Sequence, residues 1–567
     1  MLSYFLSLFK FKKHYQDIAP DEIFLDSQNL PDFDIHQFEG RIEKPISKRA
    51  LSLLALVFVS VGGVFLYKLW DLQIIDAAGY SQKSENNRLA DSIVFANRGV
   101  IFDRNEVPLV WNDLNQINSD FARRMYATST GLSTVLGYVK YPTKDSSGFY
   151  YQTTYVPKDG IEKMYNEQLS GVNGYKLTET DALGKATSLK VVEPPVDGGN
   201  LHLSIDAGIQ KTMYKAMLEY AAKAGYRGGG GVIMDVESGE IIAMASFPEY
   251  DSNTLSLGTD STKITDYLTD KNNPFLNRVV SGLYTPGSIV KPFIAMGALT
   301  EGIINPNKQI RSTGSLTIPN PYNHDQPTVF RDWKAHGLVD MRRAIAVSSN
   351  VYFFEIGGGF EDQKGLGISR IEKYMRMFGF GEKTGIESYT EKAGVIPNPT
   401  WKKTLFGADE EWRLGDTYNT SIGQYGVQVT PLQAVRAIGA IANGGKLLYP
   451  TVIKPNDAYQ SLSTPVPLSE ENFQIVREGM RMTVTEGTAQ SLSFPFVKVA
   501  AKTGTAELGP TKSLVNSWTV GYFPADKPRY AFAVVMEKGR SNNQVGATLI
   551  MRDVLNWMNL YAPEYFQ

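Results

Sequence analysis

The sequence predicts a mixed α+β or α/β protein tethered to a membrane by one N-terminal helix, and three observations predict it. An uncharged apolar run near the N-terminus stands out from a chain whose mean hydropathy is only −0.21. A Pro-Pro and Gly-Gly break, EPPVDGGN at Glu193–Asn200, divides the rest of the chain. Beyond it, a strand–helix–strand–strand opening leads into several helical stretches. At 567 residues, 43% hydrophobic and 11% aromatic, the chain has room for about two to four packed domains and is not mainly disordered. With 57 Lys and Arg against 59 Asp and Glu, the net charge of −2 argues against binding nucleic acid through a basic surface. The absence of cysteine excludes disulfides, thiol nucleophiles, iron–sulfur clusters and Cys-based zinc sites.

Taken in order, residues 1–49 read as a cytoplasmic tail. MLSYFLSLFKFKK (1–13) mixes apolar side chains with lysines and suits a membrane surface, while the acidic, Pro-punctuated stretch 14–43 predicts a mostly disordered segment. Ala50–Tyr67 (ALSLLALVFVSVGGVFLY) carries no charge. At about 1.5 Å per residue it would span roughly 27 Å as a helix, close to a hydrocarbon core. A core helix is rarely apolar on every face. A cleaved signal peptide would end in a small-x-small site and would lack the long charged region ahead of the run. The run therefore reads as an uncleaved anchor over residues 50–70. Arg41, Lys44, Lys48 and Arg49 precede it, and Asp71 and Asp76 come after it, so the N-terminus belongs inside and the rest outside. Residues 71–200 form a more polar unit with short strand-like pieces such as GVIFDR (Gly99–Arg104). From 201 to 567 a second domain opens with the strand LHLSID (Leu201–Asp206), a helix over Ala207–Gly225 ended by its glycine, and two strands within Gly230–Ser246.

The chemistry has few places to sit. His14, His36, His202, His324 and His336 are scattered, and neither HExxH nor a GxSxG elbow between strand and helix occurs. A serine activated by lysine is the remaining serious option for covalent catalysis. In LYTPGSIVKPFIAMGALTEG (Leu283–Gly302) a Pro-Gly turn precedes an apolar helix face, with Ser288 at its start and Lys291 three residues on. Positions three apart share a helix face, so the amine can reach the hydroxyl, and a helix N-terminus favours developing negative charge. Burial would lower the lysine pKa toward that of a base. By itself Ser-x-x-Lys also describes a helix cap followed by a surface lysine. Two further elements add to it. Ser348-Ser349-Asn350 sits inside the helical stretch Leu338–Gly359, and Lys502-Thr503-Gly504-Thr505 comes after the strand-like run Phe494–Ala501, where glycine would permit close approach of a ligand backbone. Another Lys-Thr-Gly, Lys383–Gly385, lies in a Gly-rich loop without a preceding strand, so context selects the later copy.

These three elements together form the motif set of penicillin-binding proteins and class A β-lactamases. The blocks NRVVSGLYTPGSIVKPF (Asn277–Phe293), TGIES (Thr384–Ser388), YNTSIGQYGVQVTPLQA (Tyr418–Ala434) and AAKTGTAE (Ala500–Glu507) resemble a penicillin-binding transpeptidase domain. ENNRLADSIVFANRGVIFDRN (Glu85–Asn105) and GIEKMYNEQLSGVNG (Gly160–Gly174) resemble the pedestal, or dimerisation-type, domain of class B members. The likeness spans about residues 65–560. SGLYTPGS, SSNVYFF and FRDWKAHG (Phe330–Gly337) are more similar to the elongation branch than to the division-specific one.

The resemblance implies an α+β fold whose central antiparallel sheet is covered by helices, and a peptidoglycan D,D-transpeptidase that β-lactams acylate. It implies Ser288 as nucleophile, Lys291 as general base, Ser348 and Asn350 as proton relay and acyl-chain support, and Lys502 as a source of positive potential. The backbone N–H groups of Ser288 and Thr505 would form the oxyanion hole, each contributing on the order of 3–4 kcal/mol. Thr503, Gly504 and Thr505 would bind the substrate's terminal carboxylate. It implies no cofactor, and, as partners, stem peptides and a SEDS-family, RodA-like membrane glycan polymerase with other elongation proteins. Some relatives bind zinc through Asp, His and Cys. Asp325, Asp332 and His336 offer part of such a set, but without a cysteine no metal is expected. Other departures are Glu106, where the pedestal motif usually has Gly, and Ile289-Val290 inside the serine motif. A division-specific transpeptidase stays open as the alternative, with a β-lactamase, a carboxypeptidase and a non-catalytic scaffold behind it.

Overall fold

The computed structural model describes residues 47–80, 89–114, 120–180, 186–320, 325–386, 390–455, 461–543 and 545–567. Outside these lie residues 1–46 of the tail expected over 1–49, the start of the pedestal block at 85–88, His324 and the last two residues of TGIES. The chain divides into two units, Met1–Leu89 and Ala90–Gln567.

In the first unit, Ser47 caps a helix over Lys48–Trp70 by accepting a hydrogen bond from the Ala50 N–H, and a π-type turn over Asp71–Ile75 continues it. Among the described residues it is the one helix long and apolar enough to cross a membrane.

The second unit is α+β. Its N-terminal part carries a three-stranded sheet formed by Leu89–Val94, Gly174–Thr180 and Ala186–Glu193. A four-stranded sheet there joins Ile101–Phe102, Pro108–Asp113, Arg123–Tyr126 and Leu201–His202. The last of these shortens the strand expected over Leu201–Asp206 and pairs in parallel with Ile101–Phe102, so the segment after the Pro-Pro break is stitched back to the chain that precedes it. Glu106 adopts φ 65°, a left-handed conformation that suits the glycine usual in the motif and is uncommon for a side-chain-bearing residue.

The larger part is built on a five-stranded sheet, here labelled β1 (Gly228–Asp235), β2 (Ile241–Phe247), β3 (Ala500–Leu508), β4 (Leu514–Phe523) and β5 (Tyr530–Arg540). Its order is β2-β1-β5-β4-β3 and every pairing is antiparallel. Helices Ala207–Ala224 and Ala547–Tyr561 pack on one face through Met213, Met217, Ile550 and Val554. The helix Pro431–Ala442 and the apolar helix after Lys291 belong to the core on the other face. With both faces covered, the inner strands read as near-continuous apolar runs, and β1 is buried at every position. The core on the second face also takes in Ile101, Val110, Leu136 and Ile161, which explains why residues 90–567 cohere as one unit.

Candidate active site

Ser288 lies on a 3₁₀ turn, Gly287–Val290, and Lys291 begins the α-helix Lys291–Thr300. The expected helix start is thus a tighter turn feeding a helix, and Pro292 suits its first turn, where no N–H partner is needed. Phe293, Ile294, Ala295 and Met296 bury this helix, so Lys291 is carried into the core while Ser288 stays partly exposed.

The helix expected across Leu338–Gly359 is two helices, Met341–Val347 and Asn350–Gly358, parted by Ser348 at φ 57° and ψ 40°. A left-handed serine costs about 1–3 kcal/mol and persists only where its surroundings hold it. Here Ser348 ends the first helix and Ser349 caps the second, accepting from the Tyr352 N–H. The reversal turns Ser348 and Asn350 toward Lys291.

The third element is the edge strand β3. Its regular pairing starts at Ala500, so the run before it, expected as strand, is not one; Lys502 and Thr503 lie within the strand itself. Alternation puts Lys502 and Gly504 on the buried face, with Thr503 half-buried and Thr505 exposed on the other. Gly504 also has a close neighbour within the protein. A Cβ there would stand 2.7 Å from the Pro286 carbonyl oxygen, so its missing side chain admits the serine turn. The earlier Lys383–Gly385 is a loop in which Thr384 donates to the Glu391 carboxylate, a local tie.

The three stretches converge on Ser348. Lys291 Nζ lies 2.7 Å from the Ser348 carbonyl oxygen, 2.8 Å from Asn350 Oδ1 and 3.3 Å from Ser348 Oγ. Lys502 Nζ donates to the same Oγ at 2.8 Å and to the Thr503 carbonyl at 2.8 Å. Lys291 therefore spends its hydrogen bonds on the Ser-Ser-Asn corner, and not on Ser288. Both amines are wholly buried. Burial pushes Lys291 down to about 7 against the opposing pull of the Asp332 charge. Burial, then the charge of Lys291, also lowers Lys502. A neutral amine and a hydroxyl between two lysines can pass a proton; a surface lysine cannot do this at neutral pH.

Two participants lie outside the expected catalytic set. Asp332 is a buried carboxylate that accepts from Ser349 Oγ at 2.9 Å and from the Val351 N–H at 3.0 Å, and no spacing rule links it to Ser349, 17 residues on. Thr488 Oγ1 is hydrogen-bonded to Thr503 Oγ1. As for a metal, Asp332 and His336 approach to 3.6 Å, but the other side chains on Asp332 are the Ser312 and Ser349 hydroxyls. Among the described residues no three His, Cys, Asp or Glu side chains cluster. Asp332 and His336 supply one carboxylate and one imidazole, two of the four ligands that a closed zinc site takes.

Comparison with known proteins agrees with this geometry. The penicillin-binding protein transpeptidase domain model matches residues 229–556, and the penicillin-binding protein dimerisation domain model matches 116–203. The chain is 28% identical over 629 aligned residues to the peptidoglycan D,D-transpeptidase MrdA of Salmonella typhimurium, covering 92% of this chain and 97% of that protein. Among solved structures, a chain of a peptidoglycan synthase complex described as coordinating polymerization and crosslinking superposes with a TM-score of 0.70 at 26% identity, over 89% of this chain and 98% of the other. Penicillin-binding protein 2 of Helicobacter pylori, solved in complex with MreC, gives 0.67 at 28% identity, over 84% and 99%. With the transpeptidase model covering more than half of its length, the chain belongs to the penicillin-binding protein transpeptidases, among the class B members most like penicillin-binding protein 2.

Proposed function

We propose that this protein is a peptidoglycan D,D-transpeptidase that cross-links stem peptides through a serine acyl-enzyme during wall elongation and is acylated by β-lactams. The observation that carries the reading is the pair of buried lysines sharing the Ser348 hydroxyl, one of them, Lys291, beginning the helix that directly follows the Ser288 turn. Ser288 Oγ attacks the penultimate D-Ala carbonyl as its proton passes to the neutral Lys291 amine. The tetrahedral oxyanion rests on the Ser288 and Thr505 N–H groups. On collapse the bond to the terminal D-Ala nitrogen breaks, and that nitrogen takes a proton relayed through Ser348 from the lysine pair. An amine of a neighbouring stem peptide then attacks the ester, forms the cross-link and returns the proton to Ser288. Asn350 supports the acyl chain, while the Thr503 and Thr505 hydroxyls hold the terminal carboxylate.

The wider assignments rest on the same reading. Residues 1–49 are a cytoplasmic tail, 50–70 a membrane anchor, 71–200 the pedestal and 201–567 the transpeptidase domain, with the last two on the outer side of the cell membrane. A RodA-like glycan polymerase is the membrane partner, in keeping with the synthase complex and the MreC complex formed by similar proteins. The test is intact-protein mass after penicillin treatment. The wild type gains one penicilloyl mass; an adduct that persists in Ser288→Ala would falsify the assignment.

A further inference from the structure

The segment Arg331–Trp333 continues from the strand Thr328–Arg331 and grips the Ser-Ser-Asn corner at each end. Trp333 Nε1 donates to the Val347 carbonyl, just before Ser348, at 3.2 Å. The Arg331 carbonyl accepts from Asn350 Nδ2 at 3.3 Å, which leaves Oδ1 of that amide facing Lys291. Between them the Asp332 carboxylate meets the start of the helix Asn350–Gly358. Its Oδ2 accepts from Ser349 Oγ at 2.9 Å, the Val351 N–H at 3.0 Å and Ser312 Oγ at 3.2 Å, and its Oδ1 from the Trp333 N–H at 2.9 Å. The Asn350 N–H also faces it. The side chain has no solvent exposure, and its one ion-pair neighbour within 4 Å among the described residues is His336. A carboxylate this deeply buried is tolerated only where donors converge on it, and a helix N-terminus supplies them. Most of those donors belong to residues 349–351, the corner that presents Ser348 and Asn350 to the amine.

We propose that Asp332 is a positioning residue for acylation: it clamps the Ser-Ser-Asn corner in the left-handed turn that brings Ser348 and Asn350 onto Lys291. This rests on the acyl-enzyme reading above. It has an electrostatic side as well. The groups facing Lys291 are Lys502 from β3, Asp332 and His336 from the segment after the strand Thr328–Arg331, Ser348 and Asn350 from the corner, and the Phe353 ring at 5.4 Å. Asp332 is the one anion in this set, so its charge holds the Lys291 proton more tightly than burial alone would allow.

The experiment tracks the rate of penicilloyl-adduct formation by intact mass, across neutral pH, on the full-length protein in detergent. Asp332→Asn keeps the shape and removes the charge. It should slow acylation roughly 10- to 100-fold, since it unpairs donors that now meet an anion. It should also move the acidic limb of the rate profile to lower pH, because Lys291 loses its proton more readily without the anion. Ser349→Ala keeps the charge and removes one donor, and should slow acylation without moving the limb; it carries the test if Asp332→Asn fails to fold. Acylation by both variants within about twofold of wild type, or a slower Asp332→Asn whose limb stays in place, would overturn the positioning role. A wild type that forms no adduct would instead overturn the acyl-enzyme reading, and the role of Asp332 with it.

Discussion

In the pedestal, Arg98 and Arg124 close on Glu162 from two sides; in the cleft, Lys291 and Lys502 face one another across a serine hydroxyl. All five side chains are buried. In the first cluster Arg98 Nε lies 2.5 Å from Glu162 Oε2 and Arg124 Nε 2.8 Å from Oε1, and the Tyr126 hydroxyl adds a third donor at 3.3 Å. Burial works against the Glu162 charge, but the two guanidiniums outweigh it and hold the carboxyl below its ordinary range. In the second cluster the direct acceptors are neutral, and the nearest carboxylate acts at a distance through the corner. The same low-polarity surroundings therefore give opposite results. A charge met by an opposite charge is locked in and holds structure, whereas like charges met by neutral oxygens shed a proton and become reactive. The residue types suit these two roles, since guanidinium stays protonated under all ordinary conditions and an ammonium shifts readily when buried.

The contrast can be broken at either end. Lys291→Ala removes the base. Acylation of Ser288 should fall on the order of 10³–10⁴-fold with little loss of stability, read by adduct formation beside a thermal melt. In the unaltered protein the rate should rise as pH passes through about 7, where Lys291 becomes neutral, and fall about tenfold per unit below it. Glu162→Gln leaves two guanidiniums without a counter-charge. It should destabilise the fold by about 3–5 kcal/mol in denaturant titration, with the acylation rate per folded molecule unchanged. Because the folded-state pKa of Glu162 is depressed, its contribution is complete above the unfolded carboxyl pKa of about 4.3 and disappears as the pH falls through the folded value. Equal stability in Glu162→Gln, or an acylation defect there matching that of Lys291→Ala, would remove the distinction. Gly504→Ala, smaller in effect, presses a methyl against the Pro286 carbonyl. We expect about 1–3 kcal/mol of destabilisation from overpacking, together with slower acylation as the serine turn shifts.

Legibility in the sequence varies by element. The anchor is legible because its signal is local: an unbroken apolar run bounded by charge needs no tertiary partner. The helix Ala207–Ala224, with Asp206 as N-cap and Gly225 as C-cap, and the strands after it are legible from periodicity for the same reason. The Ser-Ser-Asn stretch misleads, because its apolar flanks read as one helix while Ser348 takes a left-handed turn held by residues distant in the chain. The strand before Lys502 starts later than its composition suggests, because β-branched and aromatic residues at Phe494–Val499 pack as irregular chain against the core.

By itself the sequence determined the inventory: one membrane-length helix, a serine and two lysines in recognisable settings, and no thiol chemistry. Only the tertiary structure decided which groups act on which. Along the chain Lys291 lies 57 residues before Ser348 and Lys502 lies 154 residues after it, yet both reach its hydroxyl and both are buried by side chains from other elements. A pKa depends on solvent exclusion and on charges a few ångströms away, quantities set by packing and absent from any local pattern. The same holds for Asp332, whose contacts with Ser349 and Val351 arise only when the chain folds.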